Sequence, residues 1–480
     1  MRVFWALIFA FLLSACSGSQ TDNSEVKQEV TTANPVVVVE DIFCDVSYPL
    51  VIDNVYQPLP SSDKMTVAAL YDGDKTNQSS WQAQQLESQL VIELNRPALL
   101  KALVLSWKDL AVSHNYAVLV SKDGEQWQEL VGPSATAQGM LIPDVVNLAD
   151  GGYTAKYLQL LLTGSVNGQS ETLASELVEI EVFGCSGNGA GDSGHDIELV
   201  DWYLSIPTDS DYNGRSDRIA ELELANGFFD PRFFSLSKDG GLIFSTSVSG
   251  YRTSTNTKYV RSELREMLRR GDTSYSTQGI SKNNWVFASA PALDRENAGG
   301  VDGLLEVDLA VNKVTTTGEA YQVGRVIIGQ IHANDDEPIR VYYRKLPNND
   351  KGSIYIAHEQ QGGDDSYYEV IGSRGNSATN PPDGIPLDER FSYSIKVIGN
   401  DLTFVLTKAD GSEYSQIIDM SQSGYDEGGQ YQYFKVGVYN QNNSGDVHDY
   451  VRATFYQIDN SHTGYSGSAR NIHSMSNINK

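Results

Sequence analysis

The sequence predicts an all-β protein built from two β-sandwiches in series. Three observations carry this reading. Short runs that alternate apolar and polar residues, such as LVIEL, YAVLVS and YFKVGVYNQ, recur between turns rich in Gly, Asn, Asp and Ser, as half-buried antiparallel strands do. Long stretches of helical period are scarce. The chain of 480 residues exceeds one ordinary core, and a low-complexity run, SGNGAGDSGHD, divides it.

The N-terminal element is a targeting segment and not part of the fold. Arg2 is its only charge, an apolar run follows from Val3 to Leu13, and LSAC closes it at Cys16. The run falls short of the ~20 residues that span a bilayer. Residues 1–16 resemble a bacterial lipoprotein signal peptide, in which the cysteine takes lipid and becomes the new N-terminus; a plain secretory signal is the alternative. Residues 17–43 are a polar tether that ends near PVVVVE. The expected location is the cell surface or periplasm, with membrane contact only through lipid on Cys16. Ser17 in place of an aspartate favours the outer membrane. Beyond Cys16 the chain has only Cys44 and Cys185. An oxidising compartment permits their pairing, and they stand at the two edges of one segment.

That segment, residues 44–185, is the first sandwich. ALYDGD…SSWQAQ, VIELNRPALLKALVLSW and YAVLVSKDGEQWQEL resemble the discoidin-like domains, which include the family-thirty-two carbohydrate-binding modules. The resemblance implies that the termini of the sandwich meet, which would bring Cys44 to Cys185. It also implies a structural calcium in the loop at YDGDKT, with Asp72, Asp74 and Glu179 as ligands, hard oxygens that suit this ion. An ordinary Asp-Gly turn explains the loop equally well. Trp107 and Trp127 lie in strand patterns and belong to the core; Trp81, His114 and Asn115 are left as residues that could face a sugar.

Residues 186–196 read as a Gly/Ser-rich flexible linker, so few contacts are expected across it. Residues 197–480 form the second domain, of a size suited to one jelly roll with an open groove. Three segments stand out there. On a strand, YVRSELREM places Arg261, Glu263 and Arg265 on one face; a surface helix fits its apolar spacing as well. IIGQIHAND places Gln330 and His332 on one strand face. YFKVGVYNQ sends Phe434, Val436 and Val438 to a core and Tyr433, Lys435, Tyr439 and Gln441 to the opposite face, with Gly437 between them. The formal net charge of −27 argues against a nucleic-acid partner. Any polyanionic ligand needs a local basic cleft, and these three faces together would supply one.

RSELRE, QIH and YFKVGVYNQ, in this order, resemble the three signature blocks of the family-seven polysaccharide lyases, the alginate lyases. DWYLSIP resembles the usual start of that domain, and the similarity runs over residues 197–460. The resemblance implies β-elimination at a 4-linked uronate. Its carboxylate must be neutralised before the C5 proton can leave, a task for Arg261 and Gln330. His332 would take the proton and Tyr439 protonate the departing O4. That division suits anti elimination at guluronate; in syn elimination at mannuronate one tyrosine could do both. Arg265, Lys435 and Gln441 would hold further carboxylates, Glu263 would orient the arginines, and Gly437 would leave room for the sugar ring. No cofactor is expected for catalysis. The isoleucine of QIH leans the reading toward guluronate-containing stretches. The expected protein is a monomeric, surface-anchored alginate lyase. A non-catalytic glycan-binding lipoprotein and a glucuronan lyase of the same fold are the alternatives.

Overall fold

The computed structural model describes residue 42 and residues 46–58, 64–76, 78–148, 152–187 and 195–467. Cys16, Cys44, the centre of the linker and the last residues lie outside this set. Among the described residues no helix is long and apolar enough to cross a membrane.

The first sandwich is organised by the strand Glu87–Trp107. Its alternating Leu90, Ile92, Leu103 and Leu105 enter the core with Val118, Leu160 and Ile180. A register break between Glu93 and Ala98 lets this strand pair with Ile52–Pro58 early and with Glu176–Cys185 late. The domain's two ends adjoin: Tyr48 pairs with Gly184, and its hydroxyl lies 3.2 Å from that of Ser186. Ile42 and Val46 pack against the fully buried Cys185.

The second sandwich has two antiparallel layers. One runs in the order Asp217–Ile219, Trp202–Ile206, Arg261–Glu266, Tyr433–Asn440, Arg325–His332, Ile339–Arg344, Lys351–Glu359, Asp365–Ile371. The other contains Leu242–Ser247, Tyr450–Thr463, Gly300–Lys313 and Arg390–Ile398. Trp202, Leu264, Val436 and Val438 from the first layer meet Phe244, Leu309 and Phe455 from the second. This resolves the open reading of RSELRE: it is a strand, fixed by pairing on both sides to Trp202–Ile206 and Tyr433–Asn440.

The expectation of few contacts between the sandwiches does not hold. Arg452 of the second donates to Glu181 of the first at 2.7 Å, and Lys75 also pairs with Glu181. Tyr450 Oη and Lys313 Nζ both donate to the carbonyl of Gly73, at 3.3 and 3.4 Å. Arg232 reaches the carbonyl of Pro143 at 3.2 Å, and Phe183 meets Phe229 edge-on. A linker's composition describes the linker alone; docking is decided by complementary charge and rings on strands far from it in sequence.

Candidate active site

The three polar strands are neighbours, with Tyr433–Asn440 in the middle. Arg261 stands opposite Tyr439, Glu263 opposite Gly437 and Arg265 opposite Lys435. On the other flank Gln330 stands opposite Lys435 and His332 opposite Tyr433. An irregularity between Ile327 and Gly329 shifts that strand's alternation. Val326, Ile328 and Ile331 therefore enter the core, while Ile327 packs with Tyr342, Tyr355 and Tyr439. Gln330 and His332 share the outer face.

Glu263, 1% exposed, ties the set together. One carboxylate oxygen accepts from Arg261 at 2.8 Å and pairs with Lys435 at 2.5 Å; the other accepts from the Gln330 amide at 2.5 Å. Burial works against the charge of Glu263, but Lys435 and Arg261 hold its carboxyl below the ordinary value. The expected role of orienting two arginines thus divides differently: Glu263 orients Arg261, Lys435 and Gln330. The Arg261 guanidinium lies 3.6 Å from the centre of the Tyr439 ring, and its Nε is buried without a partner. Burial, then Arg261, pushes Lys435 down to about 8. Burial raises the Tyr439 phenol, partly opposed by Arg261. Burial also lowers the basicity of His332, with Lys435 and Arg261 adding to the effect and Glu337 opposing it. His332 is therefore neutral near pH 7.

Arg265 is placed apart from this cluster. It is buried, stacks 3.8 Å from the centre of the Tyr433 ring, and donates to the Thr277 carbonyl at 2.6 Å and to Asn284 at 3.2 Å. Those donors are already engaged, so Arg265 supports Tyr433, which in turn stacks on His332 with centroids 5.1 Å apart. Gln441 follows the central strand, buried, with an unpartnered Nε2. Gly437 does not make room for a sugar. Its φ is +143°, and a Cβ there would lie 2.5 Å from the Ser262 carbonyl and 2.8 Å from the Glu263 Cα. The glycine lets the neighbouring backbone approach. Sequence reasoning missed Glu337 and Tyr433's role as the surface under His332. Glu337 lies in the run HANDDEP, whose turn hides which side chain folds back on the histidine.

In the first sandwich, Asp72 accepts from the Asp74 amide at 2.8 Å and from Ser79 at 2.7 Å, and Asp74 accepts from the Thr76 amide at 2.9 Å. Glu179 accepts from the Gly73 amide at 3.3 Å, while its Oε2 is buried without a partner. Burial and Glu181 push its carboxyl up to about 8. Among the described residues no three acidic, His or Cys side chains form a group that could hold a metal. His114 does not face ligand: it is 1% exposed, stacked 4.2 Å from Trp107 and held between Ser165 and the Asp109 carbonyl. Asn115 donates to the Gly164 carbonyl, Trp81 is buried and Trp127 half-buried.

A family model described as Alginate lyase matches residues 197–462, and one described as F5/8 type C domain matches residues 56–177. An alginate lyase of Klebsiella pneumoniae is 55% identical over 278 residues, covering 56% of this chain and 91% of the relative. The crystal structure of the alginate lyase from Klebsiella pneumoniae has a TM-score of 0.55 and 53% identity, covering 56% of this chain and 98% of that one. An alginate lyase structure from Pseudomonas aeruginosa has 28% identity and a TM-score of 0.41, covering 55% of this chain and 99% of that one. With its second sandwich matched almost from end to end, this chain belongs to the alginate lyase family.

Proposed function

We propose that the protein cleaves alginate by β-elimination on the outer face of the strands Arg261–Glu266, Tyr433–Asn440 and Arg325–His332. The observation that carries the reading is the Glu263 cluster, which fixes a guanidinium, an ammonium and an amide beside a neutral imidazole and a phenol. Arg261, held by Glu263 against the Tyr439 ring, would together with Gln330 offset the negative charge that opposes loss of the C5 proton. His332 takes that proton, the C4–O4 bond breaks as the C4–C5 double bond forms, and Tyr439 protonates O4. Lys435 and Gln441 border the same face. A binding protein has no use for this acid–base pair.

The separate base and acid support anti elimination, hence guluronate-containing stretches. Ile331 points into the core, so it would affect preference only through its neighbours Gln330 and His332. Rates of unsaturated-uronate release from polyguluronate and polymannuronate test this; faster release from polymannuronate would reverse the assignment.

We further propose export with a lipid on Cys16 and a Cys44–Cys185 disulfide. The packing of Ile42 and Val46 on Cys185 supports the latter. Intact-mass measurement of the mature protein checks both: an unmodified Cys16 or two free thiols would exclude them. A calcium beside Glu179 has one point in its favour, the unpartnered Oε2. Asp72 and Asp74 spend oxygens on their own turn. Calcium should raise the midpoint of thermal unfolding if the ion binds there, and Glu179→Gln should abolish the rise; no shift in the wild type would remove the ion.

A further inference from the structure

His332 has a second polar neighbour that none of the three signature strands supplies. Its Nδ1 lies 2.5 Å from the Ala333 carbonyl. That contact places a proton on Nδ1 and leaves Nε2 as the basic nitrogen. Nε2 faces Glu337 Oε1 at 3.5 Å. The turn that returns Glu337 to the histidine is closed by the Ala333 amide on the Asp336 carbonyl, at 2.8 Å. The Glu359 amide donates to the Glu337 carbonyl at 3.3 Å. The second oxygen of Glu337 lies 3.8 Å from Arg340, which also pairs with Glu359 at 3.2 Å and with Asp365.

Apart from the Ala333 carbonyl, the groups that act on the charge of the ring oppose a positive one. Lys435 and Arg261 are cations, and burial penalises the imidazolium. Tyr433 covers one ring face, backed by Arg265. Glu337 is the carboxylate that faces the nitrogen where the substrate proton must arrive. We propose that Glu337 is a positioning residue for the elimination: it holds the Nε2 edge of His332 and stabilises the imidazolium formed when that nitrogen takes the C5 proton. The inference rests on the lyase reading above. In the step, the C5–H electron pair becomes the C4–C5 double bond, O4 leaves with the Tyr439 proton, and the C5 proton stays on Nε2 beside Glu337. Arg340 anchors the carboxylate. Burial opposes the charge of Glu337, but His332 in its imidazolium form and Arg340 hold its carboxyl below the ordinary value, whereas burial and Glu337 push Glu359 up to about 7.

Two readouts on the full chain test this. The first is an NMR titration of the His332 imidazole in the wild type and in Glu337→Gln. The second is the pH profile of kcat/KM on alginate. Loss of the anion should lower the His332 pKa by about one unit and move the acid limb equally. It should also reduce kcat roughly tenfold, as a weaker base predicts, with little change in KM. Glu337→Asp should recover part of the shift, and it provides the same comparison if the glutamine variant does not fold. An imidazole that titrates at the same pH, or higher, without Glu337 overturns the proposal, whatever happens to the rate. If the wild type releases no unsaturated uronate, the lyase reading fails, and the titration still decides the role of Glu337.

Discussion

Lys435 sits between opposing influences: Glu263 at 2.5 Å favours its charge, while burial and Arg261 lower its pKa to about 8. A lysine so placed is mostly charged at pH 7 and neutral above its own pKa. The groove should therefore lose a cation as pH passes about 8. We expect KM for alginate to rise there in the wild type and to stay flat in Lys435→Arg, whose guanidinium does not titrate in this range. Parallel KM profiles in the two proteins would remove Lys435 from substrate binding. Much of this residue-scale picture was legible from the sequence, because spacing of two puts side chains on one strand face. Arg265 was not: its face was read correctly, yet its donors are taken by Thr277 and Asn284. Those residues lie in a loop whose path no periodicity reveals. His114 was misplaced for the same reason, since Trp107 covers it from another strand.

At the scale of elements, the central strand depends on Gly437. Its left-handed φ and the closeness of the Ser262 carbonyl leave no place for a Cβ. Gly437→Ala should destabilise the second sandwich by about 1–3 kcal/mol through backbone strain, and should separate Glu263 from Lys435. Thermal or denaturant unfolding measures the first effect; a variant as stable as the wild type would show that the strand relaxes freely. The sequence offered a row of polar groups broken by a glycine, but not the reason for the glycine, which lies in the neighbouring strand. The segment Arg261–Glu266 poses the same problem. Leu264, Met267 and Leu268 fit a helix or a strand, and only pairing with two distant strands selects one. The shifted alternation at Ile327–Gly329 is likewise invisible in a local pattern, although Gln330 and His332 lie beyond it and keep the face their spacing predicts.

At the scale of the molecule, the two sandwiches share a buried ion pair and a common carbonyl contact at Gly73. The contacts come from the layer containing Tyr450–Thr463, while the signature residues lie on the other layer. Burial alone would raise Glu181, but Lys75 and Arg452 hold it down at about 2. Its contribution is therefore present above the ordinary carboxylate value near 4.3 and is lost as pH falls toward about 2. Arg452→Ala should destabilise the docked arrangement by about 3–5 kcal/mol, because it leaves Glu181 with a weakened partner set. Separation of one unfolding transition into two, with activity retained, is the expected signature; an unchanged transition would mean that the interface contributes little. A fragment beginning at Ile197 keeps the whole of the second core and all the signature residues, so it should still act on alginate. Elimination by His332 and Tyr439 is tested most directly by ultraviolet absorbance of the unsaturated product as the full chain, His332→Ala and Tyr439→Phe act on soluble alginate. We expect steady release by the wild type and a loss of about 10²–10⁴-fold in each variant, with the fold intact; depolymerisation without the unsaturated product, or near-wild-type rates in either variant, would contradict acid–base elimination by His332 and Tyr439.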